Sequence, residues 1–83
     1  TMVNSNLRRI IKRLEAMVVD GAGPLQVRTF ERYGIAVCDV LFNQESGEFV
    51  VKRIEPGDVM VFDQLDLAAI EVYDCLEYFR QRF

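Results

Sequence analysis

The fold is decided by the segment from Leu25 to Phe42, which has the sequence LQVRTFERYGIAVCDVLF. Apolar and polar residues alternate along its two halves, and a period of two is typical of β-strands with one buried face. We therefore predict strands over Leu25–Tyr33 and Ile35–Phe42, joined by a turn at Tyr33-Gly34. In the second strand, one face is predicted to be entirely apolar and consists of Ala36, Cys38, Val40 and Phe42.

Two more strands are predicted downstream of this hairpin. The segments 43–47 and 56–58 are rich in residues that favour turns, including Gly47 and Gly57. Between and after them, apolar stretches rich in valine and phenylalanine predict a third strand over Glu48–Glu55 and a short fourth strand over Val59–Phe62. The sequence leaves open whether the fourth segment pairs with the third.

An amphipathic helix is predicted on each side of the strands. The first is capped by Asn4 or Ser5 and runs to about Val19, because its apolar residues recur at helical spacing. The last begins at an Asp63 N-cap, with Asp66 three residues further on, and ends near Gln81.

These elements predict one α+β domain with the order αβββ(β)α. Short connections favour a meander, so we expect a three- or four-stranded antiparallel sheet with both helices packed on one face in two layers. We expect residues 2–83 to form this single domain, with Thr1 as a remnant of expression. The chain has 83 residues, which is enough for one small core.

The composition disfavours catalysis. The chain has no histidine, the residue that most often acts as a general base or metal ligand. Its two cysteines, Cys38 and Cys75, lack the spacing of a zinc site and lie in apolar segments, so we predict buried, unreactive thiols. We therefore expect no enzymatic activity, no catalytic residues, no cofactor and no bound metal.

Composition also bears on self-association and on location. Hydrophobic residues make up 51% of the chain, which is more than a two-layer domain of this size is expected to bury. A homodimer, or an unidentified protein partner, would cover the remainder. No apolar run reaches the ~18 residues of a membrane span, and no signal-peptide pattern is evident. We expect a cytoplasmic protein that does not bind membranes.

Several segments of the chain match a known family in residue type and spacing. They are the segment from Leu7 to Met17, the following Asp20-Gly21, the pair Phe30-Glu31 and, most clearly, the closing motif Phe62-Asp63-x-Leu65-Asp66-Leu67-x-x-Ile70-Glu71-Val72-Tyr73-x-x-Leu76. In these segments the chain resembles the YkuJ-like family of small uncharacterised bacterial proteins. The resemblance extends from Leu7 to Leu76 and implies two helices against an antiparallel sheet. It implies no activity, ligand or catalytic residue.

The first helix carries a basic patch that consists of Arg8, Arg9, Lys12 and Arg13. Its residues are neighbours at i,i+4 spacing, so four positive charges share one surface. Strand residues could widen the patch: Arg28, Arg32, Lys52 and Arg53, with Phe30 or Tyr33 as stacking surfaces. This pattern supports an alternative function, RNA binding. The net charge of −3 and the lack of an RNA-binding motif disfavour nucleic acid.

The last helix carries a second apolar stripe that cannot face the same sheet as its core residues. We predict that this stripe and its acidic neighbours form a protein interface, with candidate residues Leu67, Ile70, Tyr78, Glu71 and Asp74. The exposed face of the sheet is a second candidate interface. The favoured function is therefore a small cytosolic protein-interaction or accessory module that self-associates.

Overall fold

The computed structural model describes residues 5–20, 23–55 and 57–82, and it confirms the α+β class and the predicted order. Along the chain, four strands lie between two helices. The elements are α1 (Ser5–Val19), β1 (Leu25–Arg32), β2 (Ile35–Asn43), β3 (Glu48–Arg53), β4 (Val59–Phe62) and α2 (Leu65–Arg82). Across the described residues, neither helix is long and apolar enough to span a membrane. Asn4, a candidate N-cap of the first helix, lies outside the described residues.

The four strands form an antiparallel meander in the order β1-β2-β3-β4. The fourth segment is a true strand, since Val59–Phe62 pairs with β3 from Lys52 back to Phe49. The hairpin between β1 and β2 turns at Tyr33 and Gly34, as predicted. Both residues have positive φ, 57° and 74°, which is the requirement of a two-residue type I′ turn.

Both helices pack on one face of the sheet, here called the inner face. There α2 lies across all four strands, while α1 packs on α2 and on β1. The core residues on α1 recur every three or four positions, which aligns them in one stripe. The core comprises Ile10, Leu14 and Met17 of α1, Phe30, Val37, Cys38, Val40, Phe42, Phe49 and Val51 of the sheet, and Ala68, Ala69, Val72, Cys75 and Leu76 of α2.

One β-bulge changes the predicted alternation of β2. The register with β1 shifts between Phe30, which pairs with Cys38, and Glu31, which pairs with Ala36. Val37 is therefore the extra residue, and it is buried next to Cys38. The prediction of a strictly alternating second strand was wrong at this position, because alternation assumes an uninterrupted ladder.

The start of α2 also differs from the prediction. The first hydrogen bond of the helix runs from the Ala68 N–H to the Gln64 carbonyl oxygen, so Gln64 occupies the N-cap position. The predicted N-cap, Asp63, lies one residue earlier. Asp66 remains in the first turn, where its carboxylate favours the positive end of the helix dipole.

Candidate functional site

The predicted interface on α2 is an exposed stripe. Leu67, Ile70 and Tyr78 are all exposed, and with Asp74 they lie within about a third of the helix circumference at 100° per residue. Glu71 is half-buried, and its carboxylate accepts a hydrogen bond from the Cys75 thiol at 3.5 Å. The structure brings the five predicted residues to one side of the helix, and their role as an interface stays a prediction.

A larger apolar surface lies on the outer face of the sheet, opposite the helices. The strand registers place four aliphatic residues side by side across its full width, one from each strand. We call these residues the outer row: Val27, Leu41, Val50 and Val61. The two end members, Val27 and Val61, are 48% and 55% exposed. Leu25 and Val59 extend the apolar surface beside the row and are exposed as well.

Polar residues border the outer row on both sides. On one side Thr29, Asp39 and Lys52 lie next to each other on β1, β2 and β3, and the Thr29 hydroxyl donates to Asp39 Oδ1 at 2.6 Å. On the other side Asn43 pairs with Glu48. Sequence reasoning named the exposed sheet face only in general terms. The unbroken apolar run of β4 was the sequence signal for an apolar outer face, because side chains alternate along a strand and half of the run must therefore lie outside the core.

The structure divides the basic patch of α1 into two parts. Arg9 and Arg13 lie on the side of the helix that faces β1, where they line a groove together with Phe30, Arg32 and other residues. All four residues of the basic patch are exposed, but Arg8 and Lys12 lie outside that lining. We call this depression between α1, β1 and α2 the arginine groove, and its volume is about 220 Å³.

Contacts with neighbouring elements fix two of the three arginines in the arginine groove. The Arg13 guanidinium lies over the Phe30 ring, 4.1 Å from its centroid, and donates to the Thr29 carbonyl oxygen at 3.2 Å. Arg32 pairs with Glu77 of α2 through Nη2 at 3.3 Å. The Nε atom of Arg32 is buried and has no hydrogen-bond partner among the described residues. The groove therefore presents anchored guanidinium groups.

Most of the predicted widening of the basic patch does not occur. Arg28 pairs with Asp20 at 3.3 Å, and Arg53 pairs with Asp58, so carboxylates neutralise both. Phe30 is 2% exposed and covered by Arg13, so the expectation that it offers a stacking surface was wrong. Tyr33 is exposed. RNA binding by the basic patch stays a prediction, with fewer groups to support it.

The two cysteines are free and buried, as predicted. The adjacent Cys75 thiol lowers the pKa of Cys38, and the Cys38 thiol together with burial raises the pKa of Cys75. The two thiols lie where β2 and α2 pack against each other inside the core. Within residues 5–20, 23–55 and 57–82, no group of three metal-ligating side chains is placed to hold an ion.

Comparisons with known proteins agree with this architecture. The crystal structure of the YkuJ protein from Bacillus subtilis is similar to this chain, with a TM-score of 0.79 and 25% sequence identity. The similarity covers 86% of this chain and 96% of that one. Comparison with curated proteins gives no match. The family model "Protein of unknown function (DUF1797)" matches residues 10–76, and the chain belongs to this family.

Proposed function

We propose that this chain is a small, non-enzymatic accessory protein of the cytoplasm that acts by protein–protein interaction, and that it associates with a second copy through the outer face of its sheet. The observation that carries the proposal is the outer row, a band of aliphatic side chains across all four strands that neither helix covers. A contiguous exposed apolar surface of this kind is typical of an interaction site.

Symmetry favours a second copy as the partner. A two-fold axis that runs along the outer row brings the row of one copy against the same row of the other. It places Lys52 of one copy opposite Glu48 of the other. A two-fold axis along the strands, between β2 and β3, also superimposes the row on itself and places Lys52 opposite Asp39. Each contact occurs twice, because the interface of a two-fold dimer is self-complementary. In both arrangements charge complementarity reinforces the apolar contact.

The size of the face sets the expected strength of the dimer. The four strands have eight, nine, six and four residues, and at about 3.3 Å per residue and about 4.8 Å between strands the sheet presents roughly 400–450 Å². A stable interface buries about 800 Å² on each partner, so this face is small. We therefore expect a weak dimer that exchanges with the monomer and depends on protein concentration.

Sedimentation equilibrium tests this proposal. The double variant Val27→Lys/Val61→Lys places two charges at the ends of the outer row, on exposed edge-strand positions where the monomer should stay folded. Both two-fold arrangements would bring these charges against a lysine of the other copy. We expect the dimer dissociation constant to increase at least about tenfold, the effect of roughly 1.4 kcal/mol.

The matched control is Leu67→Lys/Ile70→Lys on the α2 stripe, where the exposed fractions are similar, 45% and 47%. We expect this variant to dimerise like the wild type. If the control dissociates and the sheet variant does not, the interface lies on α2. A wild-type chain that is strictly monomeric at high micromolar concentration would contradict self-association altogether.

A further inference from the structure

We propose that the arginine groove is a binding site for a small phosphate-bearing anion. Three arginines from two elements converge there: Arg9 and Arg13 from α1, and Arg32 from the end of β1. Arginine side chains bind phosphate with paired, charge-assisted hydrogen bonds, and their planar geometry suits its oxygen atoms. This proposal is independent of the self-association described above.

Charge is not balanced within the groove. Glu77 neutralises Arg32, and Glu31 is the only carboxylate among the described lining residues, which leaves Arg9 and Arg13 with an excess of positive charge. Arg9 forms no ion pair with any described acidic residue. Arg13, which is also positively charged, lies one helical turn away. Two like charges at this spacing destabilise a helix. An anion bound between them removes that repulsion.

The groove also contains hydrogen-bond donors that the protein leaves unused. Arg13 donates one bond to the Thr29 carbonyl oxygen, which leaves further N–H groups of its five for a ligand. Stacking on Phe30 orients this guanidinium in advance.

The volume of the groove limits the size of the ligand. At about 220 Å³ it is smaller than the roughly 300–1,000 Å³ of pockets for drug-sized molecules. A phosphate or diphosphate group fits this limit better than a complete nucleotide. Phe30 offers no stacking surface for a base, because Arg13 covers its ring. The ligand class is therefore a small phosphate or phosphate ester.

A titration by nuclear magnetic resonance tests this site. The probes are inorganic phosphate and pyrophosphate, added to the ¹⁵N-labelled full chain at an ionic strength held constant with chloride. We expect saturable shifts of the Nε–H signals of Arg9, Arg13 and Arg32. The variants Arg9→Gln and Arg9→Gln/Arg13→Gln should weaken binding by about tenfold or more, since each loses a charge-assisted contact.

The variant Arg8→Gln/Lys12→Gln is the matched control, because it removes two positive charges from the same helix outside the groove. It should bind the probes as the wild type does. Equal weakening of phosphate binding in both double variants, or shifts that never saturate, would overturn the proposal in favour of non-specific electrostatic attraction.

A single-stranded RNA oligonucleotide that binds more tightly than pyrophosphate, and whose binding depends on all four residues, would instead assign the patch to RNA. The amide spectrum reports whether each variant is folded, and the single variant Arg9→Gln leaves the Arg13–Phe30 contact in place.

Discussion

Arg13 connects the first helix to the sheet at the scale of a single residue. Its guanidinium covers the ring of Phe30, which belongs to the core. The positive charge is attracted to the face of the ring, so this arginine stabilises the packing of α1 on β1. Its neighbour Lys12 is exposed and makes no such contact.

We expect Arg13→Ala to lower the free energy of unfolding by about 1 kcal/mol, because it removes the cation–π contact and a hydrogen bond. The control Lys12→Ala should change it by less than about 0.5 kcal/mol, as is usual for surface substitutions. Urea unfolding measures both. Equal effects of the two substitutions would show that Arg13 acts only as a surface charge.

The buried thiols give a second prediction at this scale. Cys38 and Cys75 are buried within the core, so a thiol reagent must wait for the protein to open. We expect Ellman's reagent to react with two thiols per chain in urea and to react far more slowly with the native protein. Rapid reaction of either cysteine in the native state would contradict the burial described above.

The different roles of Arg9 and Arg13 on one side and Arg8 and Lys12 on the other were not predicted. The sequence places all four on one basic surface, because i,i+4 neighbours share a side of the helix. What separates them is their angular distance from the apolar stripe, since Arg13 is adjacent to the stripe and Arg8 lies opposite it. Which strand residue lies under Arg13 depends on tertiary packing, and no sequence pattern specifies that.

At the scale of elements, the β1–β2 hairpin depends on its turn. Gly34 has a φ of 74°, a conformation that costs a residue with a side chain about 1–2 kcal/mol. We expect Gly34→Ala to lower the free energy of unfolding by about that amount. Because no atom lies within 4 Å of an added Cβ at this position, the cost is one of backbone conformation and not of crowding.

Gly23→Ala provides the matched control for this turn. An added Cβ at Gly23 also meets no atom within 4 Å, but this glycine does not have a positive φ. Alanine there should leave stability unchanged or raise it by about 0.4–1 kcal/mol, because it restricts the unfolded chain. Chemical denaturation of the two variants measures the difference. Similar losses for both would contradict the type I′ geometry.

Most element boundaries could be predicted from the sequence, because alternation and helical spacing are local signals. The predicted strand over Val59–Phe62 agrees with β4, and the predicted first strand ends only one residue beyond β1. The bulge at Val37 could not be predicted, since it depends on how β1 and β2 pair. The residue type of Asp63 predicts it as the N-cap, whereas the first backbone hydrogen bond makes Gln64 the N-cap, one residue later.

At the scale of the whole molecule, both helices cover the same face of the sheet. That arrangement follows from the α–meander–α order, and the sequence predicts it. It buries Phe30, Val40 and Val51 and leaves the outer row uncovered. Which residues of different strands lie side by side depends on register. The sequence therefore predicts an exposed face but not the continuous row across it.

The central claim is that two copies meet through the outer row, and intermolecular methyl–methyl contacts test it most directly. A sample that mixes two differently labelled populations of the chain at high concentration gives these contacts as intermolecular nuclear Overhauser effects. We expect contacts from Val50 of one copy to Val50 or Leu41 of the other, according to which two-fold axis applies. Contacts restricted to Leu67 and Ile70 of α2, or none at a concentration where dimers are present, would contradict the claim.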